Sequence, residues 1–212
     1  MSQNQAGRFR RPAMLDPRKA EEISGGLDPA VQSEIAHISA QALVDRLRQG
    51  EDSQAFEHVL SLVEEEGIEI VADMWSHSPA GTLPGALWRL FILREWIRQD
   101  AHMIAERYSL GVSRAEVSDA IAGVAKPPGQ EEVKALADDV FSGVFSGDLA
   151  VALERAAAFC RVVATGSALD ADLVEEHDTG RAATLTMRAG SLVGTAEDLE
   201  RAAALWRAGA LD

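Results

Sequence analysis

The sequence predicts an all-α protein, with a compact multi-helix domain around a buried central helix at about residues 84–98 and a flexible basic arm at the N-terminus. Apolar residues recur at helical spacing along most of the chain, and only residues 68–71 alternate like a strand. Helix-capping residues and stop signals separate these periodic segments. Hydrophobic and charged residues make up 47% and 25% of the chain, enough apolar material for a folded core.

The arm comprises residues 1–15, and residues 16–212 form the helical domain. Arg8, Arg10 and Arg11 give the arm a positive charge, whereas the chain as a whole has a net charge of −14. We expect the arm to be mobile, since it shows no helical period.

The first long helix is predicted from Pro29 to about Gln49, because Asp28 is a good N-cap and Gly50 a good stop. Its core-facing stripe is expected to consist of apolar residues at helical spacing: Val31, Ile35, Ile38, Ala42 and Leu43. A second helix is expected at 53–66 and a short one at 68–76.

The central helix is predicted to begin after Pro84, where the chain restarts beyond Pro79 and Gly81. Its apolar residues point almost all round the axis, which is typical of a helix at the centre of a domain: Leu87, Trp88, Leu90, Phe91, Ile92, Leu93, Trp96 and Ile97.

The later helices are predicted from similar signals. Residues 113–116 read as a capping box that opens a helix to about residue 125. The Lys-Pro-Pro-Gly stretch at 126–129 is a possible boundary between halves at 28–125 and 130–212. Helices are then expected near 130–142, 148–165, 171–193 and 195–208. Cys160 lies in an apolar stripe and is expected to be a buried structural thiol.

Three segments, at 75–96, 147–166 and 201–212, together resemble a family of all-helical actinobacterial proteins. The resemblance implies a helical fold over most of the chain, but no activity, cofactor or partner.

Residues 110–123, LGVSRAEVSDAIAG, resemble the turn and recognition helix of lactose-repressor-type helix-turn-helix domains. Glu116 and Asp119 would place carboxylates on the face that approaches phosphate, and Arg114 is the one basic residue there. Since binding strength comes largely from neutralising phosphates, we expect no specific binding to nucleic acid.

Composition and motifs narrow the function classes. The single cysteine leaves no internal disulfide, and no apolar run is long enough to span a membrane. The N-terminus lacks the apolar core of a secretory signal, so a cytoplasmic location is expected. The chain shows no phosphate-binding glycine loop, nucleophile elbow or paired metal-ligand motif, so no cofactor, metal or enzyme activity is favoured.

The first place to look for a site is the turn before the central helix. A tryptophan, a histidine and two hydroxyls lie there, and two arginines follow along the helix; together they could line a polar cleft for an anion: Trp75, Ser76, His77, Ser78, Arg94 and Arg98. The alternative is a tight turn fixed by Trp75.

The leading functional hypothesis is an accessory or regulatory protein that acts through protein–protein contacts, which include contacts with copies of itself as one option. The alternative is a helical small-molecule-binding protein with its pocket near Trp75 and Trp88. A metalloprotein using His37, His77 or His102 and a DNA-binding regulator are weaker hypotheses.

Overall fold

The computed structural model describes residues 28–48, 75–115, 120–123, 129–146 and 148–212. These ranges contain long helices and no strand, which confirms the all-α prediction. The helices are α1 (Pro29–Arg48), α2 (Leu83–Gln99), α3 (Ala101–Val112), α4 (Gln130–Ser146), α5 (Leu149–Val174) and α6 (Thr179–Arg207). The basic arm, the predicted helix at 53–66 and most of the short helix at 68–76 lie outside the described residues.

Helices α5 and α6 form a long antiparallel pair, joined by a turn at residues 175–178. The Asp178 side chain accepts a hydrogen bond from the Arg181 backbone N–H at 2.9 Å, so it caps the start of α6. Two ion pairs fix the register of the pair, Glu154 with Arg207 and Arg161 with Glu200. Small alanines line the buried face of α5 and let its neighbours approach closely.

The predicted central helix is present as α2, which contacts each of the five other helices in the described ranges. Thr82 caps it, accepting a hydrogen bond from the Gly85 N–H at 3.3 Å. The helix is nevertheless not buried all round. Ile92 is 41% exposed, and Trp88 and Trp96 are only partly buried. One face of α2 therefore remains open to solvent.

The predicted inward stripe of α1 is wrong except at Leu43, which is partly buried against the core. Val31 and Ile35 are each 42% exposed and Ile38 is 61% exposed, whereas Ala36, Ala40 and Val44 are buried. The helix packs through its small residues, because these allow its backbone to lie close to α2 and α4.

Several predicted helix boundaries are also wrong. Helix α5 does not end near residue 165 but continues to Val174, and α6 runs without a break through Gly194. A glycine inside a helix costs only about 1 kcal/mol, which packing along α5 readily offsets. Ser113 does not open a helix but follows the end of α3 in a turn; residues 116–119 lie outside the described part.

Helices α3 and α5 cross with their backbones in contact at two glycines. A Cβ on Gly166 would lie 1.7 Å from the Arg107 carbonyl oxygen, and one on Gly111 would lie 2.1 Å from the Val162 carbonyl oxygen. Only glycine fits such a crossing. The contact fixes the position of α3, including the backbone from which the Arg107 side chain extends.

One hydrophobic core joins the two halves that the sequence suggested, since it contains residues of α1 to α3 and of α4 to α6. None of the helices among the described residues has both the length and the apolar character that crossing a bilayer requires.

Candidate functional site

A groove of about 780 Å³ runs between α2 and α6, and we call it the α2–α6 groove. Its volume lies within the roughly 300–1,000 Å³ that is typical of small-molecule sites. Its apolar wall comes from the face of α2 that the core leaves open, together with one leucine of α6: Trp88, Ile92, Leu93, Trp96 and Leu192.

The helical repeat explains this wall. Trp88, Ile92 and Trp96 are four residues apart, so their side chains lie along one face of α2. Trp88 also stacks on Phe91, with ring centroids 6.1 Å apart and an interplanar angle of 18°. Phe91 is 1% exposed, so this contact ties the groove tryptophan to the rigid core.

Helix α6 forms the opposite wall with small and polar residues. Ser191, Gly194 and Thr195 line the groove there. The hydroxyls of Ser191 and Thr195 donate to backbone carbonyls one turn earlier, of Met187 and Ser191, at 3.1 and 3.0 Å. Their oxygens remain able to accept hydrogen bonds from a ligand.

An ion pair bridges the two walls. The Arg89 Nε donates to the Asp198 carboxylate at 3.0 Å, and its Nη1 donates to the Gly85 carbonyl at 2.9 Å. Asp198 also accepts from Arg201 at 3.1 Å. The charge of Arg89 is therefore balanced within the protein itself.

Arg107 enters the groove from α3. Its side chain is only 9% exposed, and the nearest carboxylate among the described residues is Asp170, 3.9 Å from Nε. That distance is too long for a hydrogen bond. Burial lowers the pKa of Arg107; Asp170 opposes this shift and Arg188 adds to it, but an arginine stays protonated at neutral pH.

Arg188 lines the groove from α6, and its side chain is exposed. Within the described ranges no carboxylate lies within 4 Å of it, unlike Arg89. Asp100, which follows α2, also lines the groove and contributes a negative charge. The groove thus has three arginines against two aspartates, although the protein as a whole is acidic.

The structure separates the residues that the sequence grouped into one cleft. Trp75 is 5% exposed, and its Nε1 donates to the Ser39 Oγ of α1 at 3.1 Å, so it fixes the turn as the alternative interpretation proposed. Ser76 lines the α2–α6 groove and its Oγ lies 3.1 Å from the Nδ1 of exposed His77. Ser78 is partly buried in the same turn.

The two predicted arginines lie in a different place, because both pair with α4. The Arg94 side chain is 4% exposed and donates to Asp138 at 2.9 Å and to Glu95 at 2.9 Å. Arg98 lies 3.5 Å from the same Asp138 carboxylate. These contacts hold α2 on α4, and neither arginine lines the α2–α6 groove.

Sequence reasoning missed Arg89, Arg107 and Arg188. A signal existed for Arg107, which shares the buried face of α3 with Ile104, Tyr108 and Gly111 at three- and four-residue spacing. A charged residue on a buried helix face needs a partner, so it marks a structural ion pair or a site. Nothing comparable distinguishes Arg188, because its surroundings on α6 are mixed and largely exposed.

Cys160 is fully buried in α5, as predicted, and burial raises the pKa of its thiol to about 12. Such a thiol is not a nucleophile at neutral pH. Across the described residues no group of three or more histidine, cysteine or acidic side chains is placed to hold a metal ion. His37 contacts the Ser33 carbonyl at 2.6 Å, an interaction within α1.

Comparison with protein families, with curated proteins and with solved structures finds no match for this chain. The resemblances to an actinobacterial helical family and to a helix-turn-helix segment therefore stay predictions. The candidate site rests on its own geometry.

Proposed function

We propose that this protein is a helical ligand-binding protein that takes up a small organic molecule in the α2–α6 groove. The observation that carries the proposal is the combination, in one groove of ligand size, of two partly exposed tryptophans and two guanidinium groups that form no close ion pair with any described residue. Sites for small molecules have this composition, with a mostly apolar lining and a few convergent polar groups. This proposal corresponds to the small-molecule hypothesis of the sequence analysis. The groove is lined by Trp88 but not by Trp75.

A fluorescent probe tests the proposal. N-phenyl-1-naphthylamine is uncharged and fluoresces strongly when it leaves water. We expect saturable binding with energy transfer from tryptophan. Trp88→Ala should weaken the binding roughly tenfold, because it removes an aromatic contact surface.

Two further variants show whether the probe binds in the α2–α6 groove. Ser191→Trp places a large side chain in the groove from an exposed position of α6, so it should block the probe without disturbing the core. Ile38→Ala is the matched control, because Ile38 is an exposed apolar residue outside the groove. Binding that survives Ser191→Trp, or is lost in Ile38→Ala, would contradict the proposal.

A second candidate function is the accessory role through protein–protein contacts. It is favoured by the exposed apolar face of α1, formed by Val31, Ile35 and Ile38. A face of this kind on a helix is a common docking surface for another protein. The partner would pack against it with apolar side chains.

Site-specific photo-cross-linking tests this candidate. A photoreactive residue at position 38 should cross-link to a partner chain in cells, whereas one at exposed, polar Ser33, on the opposite side of the helix, should not. A cross-link that forms equally at both positions, or only within this chain, would refute it.

A further inference from the structure

We infer that the ligand of the α2–α6 groove is an amphipathic organic anion, whose apolar part lies on Trp88 and Trp96 and whose oxyanion lies between Arg107 and Arg188. This inference deepens the proposed function and rests on it. The oxyanion can be a carboxylate or a phosphate, which present the same acceptor oxygens to a guanidinium.

The three arginines of the groove differ in whether other groups of the protein already balance their charge. Asp198 and the Gly85 carbonyl already bond Arg89, so that guanidinium is occupied. Arg107 has only the 3.9 Å approach to Asp170, and Arg188 has no carboxylate within 4 Å among the described residues. Both line the groove.

Because Arg107 is buried, it should bind an oxyanion more strongly than Arg188 does. The Arg107 side chain is only 9% exposed, so it has lost much of its hydration, and a long contact to one carboxylate replaces little of it. A ligand oxyanion at hydrogen-bond distance would restore this interaction in a medium where charge–charge attraction is weakly screened. The buried position also fixes the side chain, so little rotamer freedom is lost when it binds.

The neighbouring arginines also favour a bound anion at this position. Arg188 and Arg181 both disfavour the charged form of Arg107, so these positive groups repel one another in the free protein. An anion between Arg107 and Arg188 relieves that repulsion. Asp170 and Asp100 offset part of this positive charge.

The arrangement of side chains on α2 indicates where the apolar part of the ligand lies. Trp88, Ile92 and Trp96 form a continuous strip along α2, and they face the small residues of α6. A flat aromatic or an aliphatic skeleton fits between such walls, because it contacts the indole rings without needing hydrogen bonds.

Two probes that share one aromatic skeleton, of which one has an added anionic group, test the inference. 8-Anilinonaphthalene-1-sulfonate has the skeleton of N-phenyl-1-naphthylamine with an added sulfonate. We expect the native protein to bind the sulfonate roughly tenfold more tightly than the neutral compound, and added salt to reduce that preference. Arg188→Gln should reduce the preference, because Arg107 remains, and should leave the affinity for the neutral probe unchanged.

Arg181→Gln is the matched control, because Arg181 is exposed on the same helix but does not line the groove. It should keep most of the preference. Equal losses in the two variants would show a general charge effect and overturn the inference. Asp100→Asn should tighten sulfonate binding, and weaker binding would count against a cation-lined site.

The outcomes separate this inference from the proposed function. If neither probe binds, the ligand-binding function fails. If both bind equally in the native protein, the groove stands and the anion site is refuted. Competition by 2-naphthoate and 1-naphthyl phosphate then identifies the preferred oxyanion, and failure of both to compete overturns the site.

Discussion

Gly166→Ala should destabilise the protein strongly, although it adds a single methyl group. The new Cβ would lie 1.7 Å from the Arg107 carbonyl oxygen, where about 3.5 Å is a normal contact. The obstacle is backbone, so no side-chain rotation relieves it, and α3 must move away from α5. We expect a loss of about 3–5 kcal/mol, which combines the overpacking cost with lost contacts at the crossing.

Urea titration followed by circular dichroism at 222 nm measures this loss, which corresponds to a fall in melting temperature of roughly 10 °C. Gly190→Ala is the matched control: Gly190 also lies inside a helix, but its Cβ would meet nothing within 4 Å. That variant should gain about 0.5–1 kcal/mol from the better helix propensity of alanine. A cost below about 1 kcal/mol for Gly166→Ala would refute the backbone crossing.

Two further predictions concern individual side chains. The Cys160 thiol should react with Ellman's reagent at pH 8 only as fast as the protein unfolds, since it is buried with a pKa raised to about 12; rapid stoichiometric reaction of the native protein would contradict its burial. Glu200→Gln should lower stability at pH 7 by less than about 1 kcal/mol, because its partly exposed pair with Arg161 is screened by water. Hydrogen bonds from Arg161 hold the pKa of the Glu200 carboxyl below its usual range, so this stabilisation is complete above about pH 5 and disappears as the pH falls through the folded-state pKa; an equal effect of Glu200→Gln at pH 7 and pH 2 would argue against the pair.

The all-α class could be predicted because capping signals and helical periodicity are local properties. Asp28, Thr82 and Asp178 each cap the helix that follows them. Burial on α1 could not be predicted in the same way. Periodicity favoured the larger Val31, Ile35 and Ile38, but the tertiary contact selected the small residues that allow close packing. The unbroken α6 was missed because glycine is only a weak helix breaker.

The candidate site was predictable only in part. The sequence identified the α2 region and Trp88, and the groove does lie on that helix. The pairing of Arg94 and Arg98 with Asp138 depends on how α4 packs against α2, and residue spacing along α2 contains no information about that. The arginines that do line the groove come from α2, α3 and α6, so only the three-dimensional fold brings them together.

The two walls of the α2–α6 groove differ in how freely they can change in evolution. Phe91 and Leu93, beside the groove tryptophans, belong to the core, so a substitution along α2 puts folding at risk. Arg188, Ser191 and Gly194 on α6 are exposed and lie outside the core. Under the proposed ligand-binding function, selection could therefore alter which molecule binds by changing α6 alone, at little cost in stability. The same asymmetry would make α6 the helix on which to redesign specificity.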